Sequence, residues 1–136
     1  AEKIAAWTKA RQLVRSREDL PPFGGKIAVL INRGSGSASE IVTQAMREFR
    51  GAPIVGVRSA GAVLASTYAP LPEGFSLQFP VSDYVSGKGY RIEGNPIKPD
   101  HEVTGAMVDG KDPVVEKALE VLRTAESAPE FLRLSA

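Results

Sequence analysis

Apolar residues follow two rhythms along this chain, one of helical period and one of short unbroken runs. Ile4, Trp7, Ala10, Leu13 and Val14 recur at helical spacing, with Lys3, Lys9, Arg11 and Arg15 elsewhere on the wheel. That pattern predicts an amphipathic helix over residues 2–17. Pro21-Pro22-Phe23-Gly24-Gly25 then breaks the chain. Ile27-Ala28-Val29-Leu30-Ile31 is a continuous apolar run, the signature of a strand buried on both faces. Gly34-Ser35-Gly36-Ser37 reads as a turn. A helix is predicted from about Ser39 to Arg50, with Ile41, Val42, Ala45, Met46 and Phe49 on its inner face. Pro53-Ile54-Val55-Gly56-Val57 reads as a second buried strand. Strand, turn, helix and strand make a βαβ unit, which implies parallel pairing and an α/β fold.

Beyond Arg58 the rhythm changes. Residues 64–71, 74–80 and 82–85 read as short strands, with Pro72-Glu73-Gly74 as a tight turn. Gly87 to Pro99 is rich in turn residues. Asp112-Pro113 is a cap followed by proline at the first helical position. The helix it opens is expected to run to about Thr124, with Val114, Val115, Ala118, Leu119 and Leu122 inside. The expected organisation is one partial catalytic domain over residues 1–136: a leading helix and linker (1–23), a core (24–126) and a tail (127–136).

Composition narrows the functional classes. With 43% hydrophobic and 24% charged residues, the chain has the make-up of a globular domain, not of a disordered one. The net charge of +1 gives no ground for a nucleic acid partner. No apolar run approaches the roughly 20 residues needed for a membrane span. The absence of cysteine excludes disulfides, thiolate metal sites and a thiol nucleophile. A single histidine and no carboxylate cluster at ligand spacing imply no metal and no cofactor.

The candidate chemistry lies in the glycine-serine turn. A strand that enters such a turn and leaves as a helix carries the turn residues to the carboxyl edge of the sheet and points free backbone N–H groups outward. Ser37, between the small residues Gly36 and Ala38, is placed to act as a nucleophile, with the Ala38 N–H as an oxyanion donor. Two other readings fit the same residues. Ser37 and Glu40 form a Ser-x-x-Glu capping box. Gly34-x-Gly36-x-x-Ser39 is a partial dinucleotide fingerprint, with Arg58 set to meet the 2′-phosphate of NADP, although the third glycine is missing.

Longer segments favour the nucleophile. Ile27-Ala-Val-Leu-Ile-Asn-Arg-Gly-Ser-Gly-Ser-Ala-Ser-Glu-Ile41 resembles the nucleophile segment of the C-terminal processing (tail-specific) serine peptidases, family S41. In that family an apolar strand precedes Ser-Ala-Ser-Ala-Ser-Glu, and the middle serine, here Ser37, is the nucleophile. The resemblance continues in order through Ile54-Val-Gly-Val-Arg-Ser-Ala-Gly61, Leu71-Pro-Glu-Gly-Phe-Ser-Leu-Gln78, Ile92-Glu-Gly-Asn-Pro-Ile-Lys-Pro-Asp100 and the helix after Asp112-Pro113. It implies a ClpP/crotonase-like superhelix, of which this chain would form the carboxyl-terminal half, and hydrolysis of a polypeptide substrate.

One departure from the family pattern changes the expected mechanism. The lysine base of the processing branch falls on Ala62, which cannot take a proton. Lys88 reads as a solvated surface residue. The tricorn-like branch of the family uses serine, histidine and a carboxylate six residues before the proline of a Pro-Asp pair, which is Glu93 before Pro99 here. The resemblance therefore implies that Glu93 orients a catalytic histidine. The only histidine, His101, reads as a surface residue. The base, and a second oxyanion donor from an upstream glycine-rich segment, are thus expected from a missing amino-terminal part or a separate chain. This chain alone is expected to be inactive. The resemblance also favours an extracytoplasmic (periplasmic or secreted) setting and admits a homo-oligomer. A non-catalytic peptide-binding or scaffold relative, and an NADP-binding α/β module, stay open as alternatives.

Overall fold

The computed structural model describes residues 23–124; the helix expected over 2–17 and the tail from Ser127 lie outside them. The central layer is a three-stranded parallel sheet of β1 (Val29–Ile31), β2 (Ile54–Gly56) and β5 (His101–Glu102), in the order β1-β2-β5. Helix α1 (Ala38–Arg50) joins β1 to β2, so the expected βαβ unit is present, with Ile31 opposite Gly56 at the carboxyl edge. Gly56 cannot be replaced there, because a Cβ would stand 2.0 Å from the Ile31 carbonyl oxygen.

Between β2 and β5 the chain makes an antiparallel hairpin of β3 (Ala65–Pro70) and β4 (Ser76–Ser82), closed by a short 3-10 turn at Pro72–Gly74. The third short strand expected at 82–85 does not form. β4 runs on to Ser82, and the next extended contact is an isolated bridge of Val85 with Arg91. Helix α2 (Pro113–Thr124) begins as expected, with Asp112 Oδ1 accepting the Val114 N–H at 2.8 Å, and packs against β1 and β2.

Burial corrects three expectations. The first strand is not enclosed on both faces: Ile31 is buried, but Leu30 is 43% exposed. On α2, Ala118 is buried while Val115 and Leu119 are exposed. On α1 the inward stripe is polar. Glu40, Thr43 and Gln44 are buried, whereas Val42 and Phe49 are exposed. The core joins Ile31 and Ile54 of the sheet to Val63, Ile92 and Ile97 of the loops that follow β2 and the hairpin. Those loops are thereby seated against the sheet edge where the glycine-serine turn lies. No described helix is long and apolar enough to cross a membrane.

Candidate active site

Ser37 sits between β1 and α1 as the N-cap residue of the helix, with φ 56° and ψ −125°. Residues other than glycine rarely hold positive φ, and holding one costs about 1–3 kcal/mol. The fold enforces it from two sides. Ser37 N–H donates to the Ala62 carbonyl oxygen at 2.8 Å and lies 3.2 Å from Glu40 Oε2, while Ala60 N–H donates to the Ser35 carbonyl at 2.9 Å. The serine is exposed at the top of the turn. Ala38 opens the helix, so its N–H belongs to the first turn, where no intrahelical acceptor exists.

Glu40 lies beneath this turn, fully buried. Its Oε1 accepts the Ser59 hydroxyl and, at 2.7 Å, the Gly61 N–H, and its Oε2 accepts the Ala62 N–H at 3.0 Å. Ser59 Oγ in turn accepts the Ile97 N–H at 2.8 Å. A buried polar group is tolerated when its bonds are made, and here they are made to backbone and hydroxyl donors on the 59–62 loop. The Ser-x-x-Glu spacing flagged Glu40 as a helix cap. Its second task, holding a loop about twenty residues further on, had no local signal.

Glu93 is half-buried in the turn after Ile92. Its Oε2 accepts the N–H groups of Val63 at 2.7 Å and Leu64 at 3.1 Å. Gly94 N–H donates to the Gly61 carbonyl at 2.9 Å. Ser37 and Glu93 therefore meet neighbouring residues of one loop, Ser37 at Ala62 and Glu93 at Val63. Gly61 makes this loop possible: its φ is +75°, and a Cβ would stand 2.9 Å from Pro96 Cδ. Ala62 is exposed directly beside the serine backbone.

His101 begins β5 opposite Val55 and is half-buried within the sheet, not on the open surface. Lys88 is exposed, and its backbone N–H donates to Glu48 Oε2 at 3.0 Å. Arg58 is exposed beyond β2, where it lines a cleft together with Arg33.

The family model described as "Peptidase family S41" matches residues 4–103. The chain belongs to this family. Among relatives, the carboxy-terminal-processing protease of Bartonella bacilliformis is 43% identical over 74 residues, which are 54% of this chain and 17% of that protein. A putative peptidase of Parabacteroides merdae superposes with a TM-score of 0.64 at 26% identity, over 82% of this chain and 38% of that one. The tricorn protease gives a TM-score of 0.65 over 97% of this chain and 14% of its own, and at 24% identity this likeness shows the fold alone. The chain thus spans a minor part of the S41 proteins it matches. Their helix and strand content agrees with the α/β class read from the βαβ unit.

Proposed function

We propose that this chain carries the nucleophile half of a serine peptidase, and that in the intact protein Ser37 attacks the carbonyl carbon of a peptide bond. The single observation that carries the reading is the strained, exposed Ser37 at a strand-to-helix turn, with φ 56° and ψ −125°. As Oγ bonds to carbon, its proton passes to a histidine base and then to the departing amine. Water afterwards cleaves the acyl-serine ester and releases the acid. The Ala38 N–H donates to the developing oxyanion. The loss of one such donor typically costs about 10²–10³ in rate.

The base comes from outside this chain. Its one histidine, His101, is committed to β5, and Ala62 stands where a lysine would serve. Glu93 orients that external histidine through Oε1, because Oε2 is engaged by Val63 and Leu64. The isolated chain is accordingly inactive, and the whole catalytic domain adopts the ClpP/crotonase-like superhelix.

A fluorophosphonate probe applied to the full-length protein tests this reading. Labelling that disappears in Ser37→Ala is expected. A folded wild-type protein that takes no label would instead be a non-catalytic relative, the alternative that Ala62 leaves open.

A further inference from the structure

Register places Ile31 opposite Gly56 at the ends of two adjacent parallel strands, and an arginine follows two residues later on each, Arg33 and Arg58. Both line a cleft of about 350 Å³ that also contains Lys98, Glu102 and Thr104. Both also line a neighbouring cleft of about 360 Å³, shared with Ser59, Ala60, Gly94 and Pro96. The second cleft is walled by the loop that holds Ser37, since Ala60 N–H bonds Ser35 and the Ser59 hydroxyl bonds Glu40.

Three cations here face one carboxylate, Glu102. The ion pairs of the described residues are Arg47–Asp100, Arg91–Asp83 and Lys117–Glu120, so Arg33, Arg58 and Lys98 have no ion-pair partner among the described residues. Like charges lining one cleft repel, and an anion bound among them relieves that repulsion. Two guanidinium forks suit a planar anion that accepts paired hydrogen bonds.

We infer that Arg33 and Arg58, assisted by Lys98, form a subsite for a substrate carboxylate beside the Ser37 turn. The inference rests on Ser37 being the peptidase nucleophile. The carboxylate is either an Asp or Glu side chain of the substrate or the free carboxyl terminus of a peptide.

The test uses the full-length Ser37→Ala protein, which binds without turnover, and dye-labelled peptides read by fluorescence anisotropy. One pair of peptides differs only as Glu against Gln within the sequence, and the other only as terminal carboxylate against terminal amide. At least one carboxylate form is expected to bind about 10-fold to 100-fold tighter than its neutral partner, as a charged hydrogen-bonded contact provides. The pair that shows the preference identifies the source. The preference should fall to near onefold in Arg33→Gln/Arg58→Gln and persist in Lys117→Gln, whose site lies on α2. Should the double variant fail to fold, Arg33→Lys/Arg58→Lys, which keeps charge but loses the forks, should show a reduced preference. Binding blind to the carboxylate in both pairs, or a preference untouched by the arginine substitutions, overturns the subsite. Fluorophosphonate labelling of wild-type Ser37 with no preference overturns the subsite alone. A preference without labelling overturns the peptidase reading, and the cleft is then a carboxylate-binding site but not a substrate subsite.

Discussion

Glu40 and Glu93 divide four consecutive backbone N–H groups between them. Glu40 takes those of Gly61 and Ala62, and Glu93 takes those of Val63 and Leu64. One carboxyl comes from the helix that follows Ser37 and the other from a turn after the hairpin, so each clamps one half of the same loop. The loop answers by fixing Ser37 through the Ala62 carbonyl. The position of the serine is therefore a property of three segments together.

Removing Glu40 should loosen this assembly most. Glu40→Ala leaves the Ser59 hydroxyl and the Gly61 and Ala62 N–H groups buried or half-buried without an acceptor, at about 1–3 kcal/mol for each unsatisfied buried donor. A loss of about 3 kcal/mol or more in urea denaturation is expected, together with loss of fluorophosphonate labelling. Undiminished stability would mean that water replaces the carboxyl at no cost.

The bracing of the loop by Glu93 can be separated from its proposed role toward a histidine. Glu93→Gln keeps a carbonyl oxygen for the Val63 and Leu64 N–H groups but cannot present a carboxylate to a histidine. In the full-length protein the variant should stay within about 1 kcal/mol of wild type in stability yet lose about 10²–10⁴ in kcat on a peptide substrate. Glu93→Ala should lose both. Full activity in the Gln variant would confine Glu93 to bracing the loop.

Gly61→Ala tests the loop from its backbone. The new Cβ meets Pro96 Cδ at 2.9 Å in a residue whose φ is +75°. A destabilisation of about 1–3 kcal/mol by thermal melting is expected, with slower labelling of Ser37.

Much of this arrangement was legible in the sequence, and what was not follows a physical rule. The unbroken run ending at Ile31, the glycine-serine turn and the run from Ile54 mark β1, α1 and β2; full burial explains the run of β2, while β1 keeps its run with Leu30 exposed. Pro72-Glu73-Gly74 and Asp112-Pro113 marked the hairpin and the last helix because their backbone preferences are local. The face of α1 was misread because periodicity reports where apolar residues lie, not where partners lie. Glu40 is buried by donors 19 to 22 residues away along the chain, and no local pattern encodes them. Glu93 was singled out by its spacing from Pro99, but its bond to Val63 spans 30 residues and was equally silent.

Acid should weaken the seat of α1. Burial pushes the Glu48 carboxyl up, but hydrogen bonds from Ser86, Gln44 and the Lys88 N–H, with the Lys88 charge, outweigh it and hold the group below the usual glutamate value. The Arg91 guanidinium at 2.6 Å does the same for Asp83, against a smaller opposing effect of burial. A carboxyl depressed in the folded state adds stability above its unfolded pKa and loses it as pH falls through the folded one. The melting-temperature gap between wild type and Glu48→Gln should therefore be widest at neutral pH and close below about pH 4. A gap constant from pH 7 to pH 3 would show that Glu48 acts without its charge.

Strain at Ser37 gives a prediction that separates a nucleophile from an ordinary helix cap. A serine selected only to cap α1 has no reason to hold φ 56° and ψ −125°, since capping residues normally lie in the extended region. Glycine reaches this conformation without the Cβ penalty, although it also loses more freedom on folding. Ser37→Gly should accordingly be more stable than Ser37→Ala by about 1 kcal/mol in thermal or urea unfolding, while both lose all fluorophosphonate labelling. The comparison with alanine matters, because both variants lack the hydroxyl and differ in the strain that glycine relieves, set against the extra freedom it loses. If Ser37→Ala proved the more stable, the strain at the turn would be smaller than the freedom glycine loses, and the geometric argument for an enforced nucleophile would fall with it.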